Sequence, residues 1–129
     1  MNKYIIFLLL GFYSLYAFDS TDVKNDTIPS IESPKGVELY GNDEYIFLDV
    51  RTVYEHEIIA IPGTQVIPVQ ELEDRIDELK KIKDKKIIVY CRSGNRSRTG
   101  TKILRKNGFD AINLLGGMNH WKGQVTTNE

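Results

Sequence analysis

The run Cys91-Arg92-Ser93-Gly94-Asn95-Arg96-Ser97 places a thiol, two guanidiniums, a glycine and two hydroxyls within seven residues. That combination suits nucleophilic chemistry on a small anion. The thiolate is the reactive form of cysteine, and cationic neighbours or a helix N-terminus lower its pKa from about 8.5 to about 3.5–7.5. From Cys91 to Phe109 there is no carboxylate, whereas Arg92, Arg96, Arg98, Lys102, Arg105 and Lys106 supply six of the 17 basic residues. Gly94 fits a turn that aims successive N–H groups inward, because such a turn usually needs one residue at positive φ. Ser97 is placed to cap the helix that follows. The plain reading of Cys91 is a small buried apolar residue, but such a cysteine needs no flanking arginines, glycine or cap.

The elements around this run must hold it in place. Lys86 to Tyr90 is an apolar, β-branched stretch that reads as a buried strand, so Cys91 falls at its carboxyl end. Glu44 to Val50 is a second strand, with the continuous apolar run of a sheet covered on both faces, and it ends in Asp49-Val50-Arg51. Thr52 to Ile59 reads as a short helix, with Thr52 and Glu55 forming a capping box. His56 on that helix reads as an exposed histidine rather than a catalytic base.

Gln65 to Pro68 is a short strand. Val69, Leu72, Ile76, Leu79 and Ile82 then recur at steps of three and four, which predicts an amphipathic helix over Val69 to Lys81. Ser97 to Asn107 is the helix after the cysteine, with Gly100 allowing close approach to the sheet and Gly108 as its left-handed cap. Ala111 to Leu115 is the next strand. Pro34 to Tyr40 is a short helix, with Ser33 as its cap. Strands alternating with helices at short connections give an α/β fold with a parallel sheet. In such sheets the site lies outside the carboxyl ends of the strands, where Cys91 falls.

At 129 residues and 41% apolar content the chain holds one domain with a modest core. A formal net charge of −1 argues against nucleic acid as a partner. Residues 1–17 read as a signal peptide: a short positive start, an uncharged apolar run from Tyr4 to Tyr16, then Ala17. The same run could instead stay uncleaved as an anchor. Residues 18–30 read as a flexible leader, 31–124 as the domain, and 125–129 as a frayed tail. The expected location is therefore periplasmic or secreted, with no membrane contact after cleavage. One cysteine cannot form an internal disulfide, so its reactivity is what such an exported thiol offers.

The loop from Cys91 to Arg96 has Cys-x4-Arg spacing and resembles the active-site loop of the rhodanese (thiosulfate sulfurtransferase) family, in particular its small single-domain, exported bacterial members. The Asp49-Val50-Arg51 strand end, Glu55 and the Gly116-Gly117-x3-Trp121 ending match the same family. The usual Gly-His before Ile-x-Gly-Ala is replaced by Ile59-Ala60, which changes the local loop. The resemblance implies a three-layer fold, a central parallel sheet of about five strands with helices on both faces.

It also implies sulfur transfer from a small anionic donor such as thiosulfate, through a Cys91 persulfide, to a thiophilic acceptor such as cyanide or a thiol. In that scheme residues 92–97 (Arg92, Ser93, Gly94, Asn95, Arg96, Ser97) bind the donor, Asp49 and Arg51 support the loop or form a strand-end ion pair, and Trp121 packs the last helix. No metal or organic cofactor is implied. A redox or sulfur-relay protein is a further partner the resemblance implies. Phosphatase or arsenate-reductase chemistry resembles a loop one residue longer, Cys-x5-Arg. A persulfide carrier with a protein donor would use the same loop and thiolate, and a binding module would keep the fold with an inert thiol.

Overall fold

The strand Lys86–Tyr90 buries all but its first residue and is the middle of the sheet. In chain order the elements are β1 (Ser30–Ile31), α1 (Ser33–Leu39), β2 (Tyr45–Asp49), α2 (Val53–Ile58), β3 (Gln65–Val66), α3 (Val69–Leu72), a 3₁₀ segment (Ile76–Ile82), β4 (Lys86–Tyr90), α4 (Asn95–Lys106), β5 (Asp110–Leu114) and α5 (Gly117–His120). This computed structural model describes residues 27–127. The signal peptide expected over 1–17, and the leader as far as residue 26, lie outside the described residues.

The five strands run in the order β1-β5-β4-β2-β3, and every pairing is parallel. The expected three-layer α/β architecture is what the chain adopts. Side chains alternate across β4, because successive residues of a strand point to opposite faces. Ile87 and Val89 join Leu48, Val50, Leu72, Leu79, Leu104 and Phe109 on one face, and Cys91 continues that side. Ile88 and Tyr90 join Leu39, Phe47, Ile61, Leu114 and Trp121 on the other. Trp121 packs edge-on against Phe47 and Tyr40, the core role expected of it.

Gly100 is where α4 touches the sheet. A Cβ there would lie 3.3 Å from methyls of both Val50 and Val89, two fully buried residues, so the expected close approach is real. Gly108 ends α4 in the left-handed region, and Phe109 N–H returns to the Leu104 carbonyl at 3.0 Å.

Four local expectations are corrected. The helix expected over Val69 to Lys81 is broken: α3 stops at Leu72, Arg75 leaves helical geometry, and a 3₁₀ segment follows. Ile76, Leu79 and Ile82 are spaced by threes, which keeps them on one face at three residues per turn but not at 3.6. Ser33 lies inside α1 and accepts the Lys122 N–H through Oγ, while Glu32 flanks the helix with no side-chain cap. Ser30, expected as the last residue of the leader, joins Ile31 in an edge strand on β5. At the carboxyl end the tail is pinned, not frayed, at Val125 and Thr126. Val125 packs on the Trp121 side of the core, and Thr126 exchanges hydrogen bonds with the Ala60 backbone at 2.8 and 2.9 Å.

Candidate active site

The turn from β4 into α4 is set by Gly94, whose φ of 101° is open to glycine and strained for other residues. Gly94 is itself the residue that flanks α4, so Ser97 is the third residue of the helix and not its cap. Its hydroxyl does something else. It donates to Asn113 Oδ1 at 2.6 Å and accepts from Cys91 Sγ at 3.3 Å. Asn113 Nδ2 donates in turn to the Gly94 carbonyl at 3.3 Å, and Gly94 N–H donates to Sγ at 3.1 Å. The sulfur thus closes a hydrogen-bonded ring through α4, β5 and the turn. When the thiol ionises, the Ser97 hydroxyl can turn its proton onto the sulfur, since a hydroxyl both donates and accepts.

Cys91 is fully buried at the edge of the apolar core, and its sulfur meets the loop through the Gly94 N–H and the Ser97 hydroxyl. Burial alone would raise the thiol pKa. The Ser97 hydroxyl and the amides of Ser97, Gly94 and Ser93 outweigh burial, so the pKa lies below the ordinary thiol value. Hydrogen bonds to the charged form, more than the surrounding arginines, are the cause. We expect the pH profile of Cys91 alkylation to have its midpoint below about 8.5 and Ser97→Ala to move it upward. An unchanged midpoint in that variant would remove Ser97 from the account.

The guanidiniums are divided differently from the sequence-based expectation. Arg96, expected to grip the donor, is taken by Glu55 in a two-pronged pair, Nη1 to Oε1 at 2.7 Å and Nη2 to Oε2 at 3.0 Å. Arg96 holds the Glu55 carboxyl down at about 2, helped by the Thr52 backbone N–H against the cost of burial. Thr52 and Glu55 also form the expected capping box of α2. Arg51 is tied to Asp49 through Nε and Nη2 and donates to the Ile59 carbonyl at 2.7 Å. His56, expected to be exposed, instead places Nδ1 2.8 Å from Asp49 Oδ2. Arg92 makes no ion pair with a described residue, and its side chain is exposed. Ser93 and Asn95 are exposed too, and Ser93 contributes its amide.

The Gly116-Gly117 turn closes the loop from the far side, as the sequence implied. Both glycines have positive φ, Met118 N–H donates to the Cys91 carbonyl at 2.9 Å, and Asn119 N–H donates to the Arg92 carbonyl at 3.0 Å. A Cβ on Gly117 would lie 2.3 Å from the Cys91 carbonyl oxygen. Backbone cannot yield there. We expect Gly117→Ala to displace the Cys91 loop, lower turnover at Cys91 at least tenfold, and destabilise the fold by about 1–3 kcal/mol. Wild-type turnover in a folded Gly117→Ala protein would contradict this.

A cavity of about 330 Å³ lies against the loop, walled by Arg51, Glu55, Ile58, Ile59, Arg92, Met118 and Asn119. A larger hollow of about 410 Å³ opens at the amino ends of β2 and β4, beside Tyr45 and Lys85, at the end of the sheet opposite Cys91. Position favours the smaller one, because parallel α/β sheets bind ligands at the carboxyl ends. Asn113, Met118 and the Ile58–Ile59 wall had no part in the sequence-based site. Only Asn113 left a signal, as a polar residue in an otherwise apolar strand.

A buried thiol in an amide-lined turn, at the carboxyl edge of a doubly covered parallel sheet, defines the class as an α/β domain with a cysteine-centred loop. Within that class the chain belongs to the rhodanese family: the rhodanese-like domain model matches residues 36–124. The chain is 36% identical over 101 residues to a candidate sulfur carrier protein, YrkF, of Bacillus subtilis, covering 77% of this chain and 54% of that one. It is 31% identical over 105 residues to the adenylyltransferase and sulfurtransferase MOCS3 of Arabidopsis thaliana, covering 70% of this chain and 23% of the relative. The chain therefore spans about half the length of the first and about a quarter of the second. A rhodanese-like domain protein of Staphylococcus aureus superposes with a TM-score of 0.68 at 27% identity, over 79% of this chain and all of that one. Sulfur transfer is the chemistry of the family at this level.

Proposed function

We propose that this protein moves a sulfane sulfur through a persulfide on Cys91. The observation that carries the reading is the pair of groups against Sγ, Gly94 N–H and the Ser97 hydroxyl, which favours the thiolate without a separate general base. The Cys91 thiolate attacks the outer sulfur of thiosulfate, the S–S bond to the sulfonate sulfur breaks, and sulfite leaves with that electron pair. Cyanide or a thiolate then takes the outer sulfur, and the thiolate of Cys91 returns. This is two-step covalent catalysis. The loop amides receive the anionic terminal sulfur, and Arg92, which lines the cavity against the loop and makes no ion pair with a described carboxylate, meets the donor's oxygens. Asp49 and Arg51 act on the loop indirectly, by fixing Ile59. With the signal peptide read from residues 1–17, the reaction takes place outside the cytoplasm.

A persulfide carrier fed by a protein is the second reading. It is favoured by the sulfur's complete burial, which asks a donor to displace cover, and by the carrier name of the Bacillus subtilis relative. Whole-protein mass spectrometry after thiosulfate treatment tests both. One added sulfur atom, removed by cyanide, supports the enzyme. No adduct with thiosulfate, but one with a persulfidated protein, supports the carrier.

A further inference from the structure

Asn113 is a buried amide near the carboxyl end of β5, and its neighbours leave its side chain one orientation. The Gly94 carbonyl can only accept, so it faces Nδ2 at 3.3 Å. Oδ1 can only accept too, so the Ser97 hydroxyl at 2.6 Å must donate to it. A hydroxyl has one proton to give. While the Cys91 thiol is protonated nothing conflicts, because Sγ–H donates to Ser97 Oγ at 3.3 Å and the donors run in series from sulfur to Ser97 to Asn113.

Ionisation reverses that series at the sulfur end. The thiolate can only accept, and the fully buried Ser97 hydroxyl is the side-chain donor beside it. Turning the hydroxyl to Sγ strips Oδ1 of its donor, and no second donor reaches Oδ1 among the described residues. A buried acceptor left unpaired opposes the turn. The Gly94 carbonyl does not depend on Asn113 in the same way, since Arg98 N–H also donates to it at 3.2 Å. The charges around the sulfur are separate from this conflict. Arg96 on α4 acts on Cys91 and is held by Glu55 of α2, Asp49 and Arg51 pair at the end of β2, and Arg92 is exposed on the turn. At this end β5 brings Ala111, Ile112, Asn113 and Leu114, none of them titratable, and α5 meets the loop through the Met118 and Asn119 amides.

We propose that Asn113 is a positioning residue that competes with Cys91 for the Ser97 proton: it holds that proton while Sγ is uncharged and yields it, with the loss of a buried hydrogen bond, when Sγ is an anion. Asn113 thus restrains the thiolate that the rest of the loop favours. A second consequence rests on the proposed persulfide chemistry. Thiosulfate and the Cys91 thiolate give sulfite and a Cys91 persulfide anion, with no proton taken up or released. The charge then sits on the outer sulfur, about 2 Å beyond Sγ. Sγ is uncharged again, the Ser97 hydroxyl turns back to Oδ1, and the recovered hydrogen bond favours the loaded state over the free thiolate.

The test titrates the full chain by thiolate ultraviolet absorbance, with the Cys91→Ser protein subtracted; the chain has one cysteine, so the signal is that of Cys91. Asn113→Leu, close in shape but without polar side-chain atoms, lowers the midpoint by about half to one pH unit, the effect of one hydrogen bond. Ser97→Ala raises it, and the double variant matches Ser97→Ala alone, because without the hydroxyl there is no proton to compete for. A merely structural Asn113 gives the opposite sign: a loosened loop takes its amides off the sulfur, and the midpoint climbs toward about 8.5. An unchanged or raised midpoint in Asn113→Leu overturns the inference. Should that variant fail to fold, the wild type decides by NMR. Its Asn113 side-chain amide resonances shift with the Cys91 midpoint by more than they do in Ser97→Ala, and equal shifts overturn the inference. Loading is read separately, by mass at fixed thiosulfate and sulfite and at a pH above every midpoint. The ratio of persulfide to free thiolate is about three- to tenfold lower in Asn113→Leu, and an equal ratio overturns the second consequence. A wild type that takes up no sulfur overturns the thiosulfate reading instead, while the titration still decides the role of Asn113.

Discussion

Cys91→Ser abolishes thiosulfate-dependent thiocyanate formation, by a factor on the order of 10³ or more, while leaving the protein folded. The loss is large because a hydroxyl is not ionised at neutral pH and cannot hold a sulfane sulfur. The fold survives because a serine oxygen can accept from Gly94 N–H and exchange a hydrogen bond with Ser97 as sulfur does. The site is buried and polar on the loop side, so the exchange leaves no buried donor unpaired. The check has two readouts. Turnover falls to the uncatalysed level and mass spectrometry finds no cyanide-labile sulfur, whereas thermal unfolding shifts by no more than about 1 kcal/mol equivalent. Undiminished turnover by a folded Cys91→Ser protein would refute the persulfide mechanism.

What the sequence made legible was local and covalently close. The strand, turn and helix around Cys91 follow from an apolar run, a glycine and a cation-rich segment that are neighbours in the chain, and the structure assembles them as neighbours. Gly100 and Gly108 were legible for the same reason: a glycine inside or just after a helix needs a steric explanation, and each has one. The partners of the charged groups were not legible. Arg96 and Glu55 are 41 residues apart, and Ser97 and Asn113 are 16 apart. Spacing within one element says nothing about which side chain another element delivers. His56 shows this most clearly, since its place on a short surface helix pointed to solvent, and only the fold of β2 beneath it supplies Asp49.

That buried carboxylate governs the second large effect. Asp49→Ala should destabilise the protein by about 3–5 kcal/mol, the range for removing one partner of a buried ion pair. Asp49 is fully buried and accepts from Arg51 N–H, Nε and Nη2, with His56 on its remaining side. Without it, the Arg51 guanidinium stays 4% exposed with no carboxylate against it. Against a total stability of about 5–15 kcal/mol, the loss is a large fraction, and the melting temperature should drop by on the order of 15 °C. Asp49→Asn, which keeps the acceptor oxygen but not the charge, should lose less. Function should follow geometry: Arg51 also holds the Ile59 carbonyl, so freeing it lets the apolar wall of the cavity move. In whatever fraction of Asp49→Ala remains folded, KM for the sulfur donor should rise more than kcat falls. If both aspartate variants melt like the wild type, Asp49 and Arg51 are an incidental pair, and the wall that Ile59 forms must be held by something else.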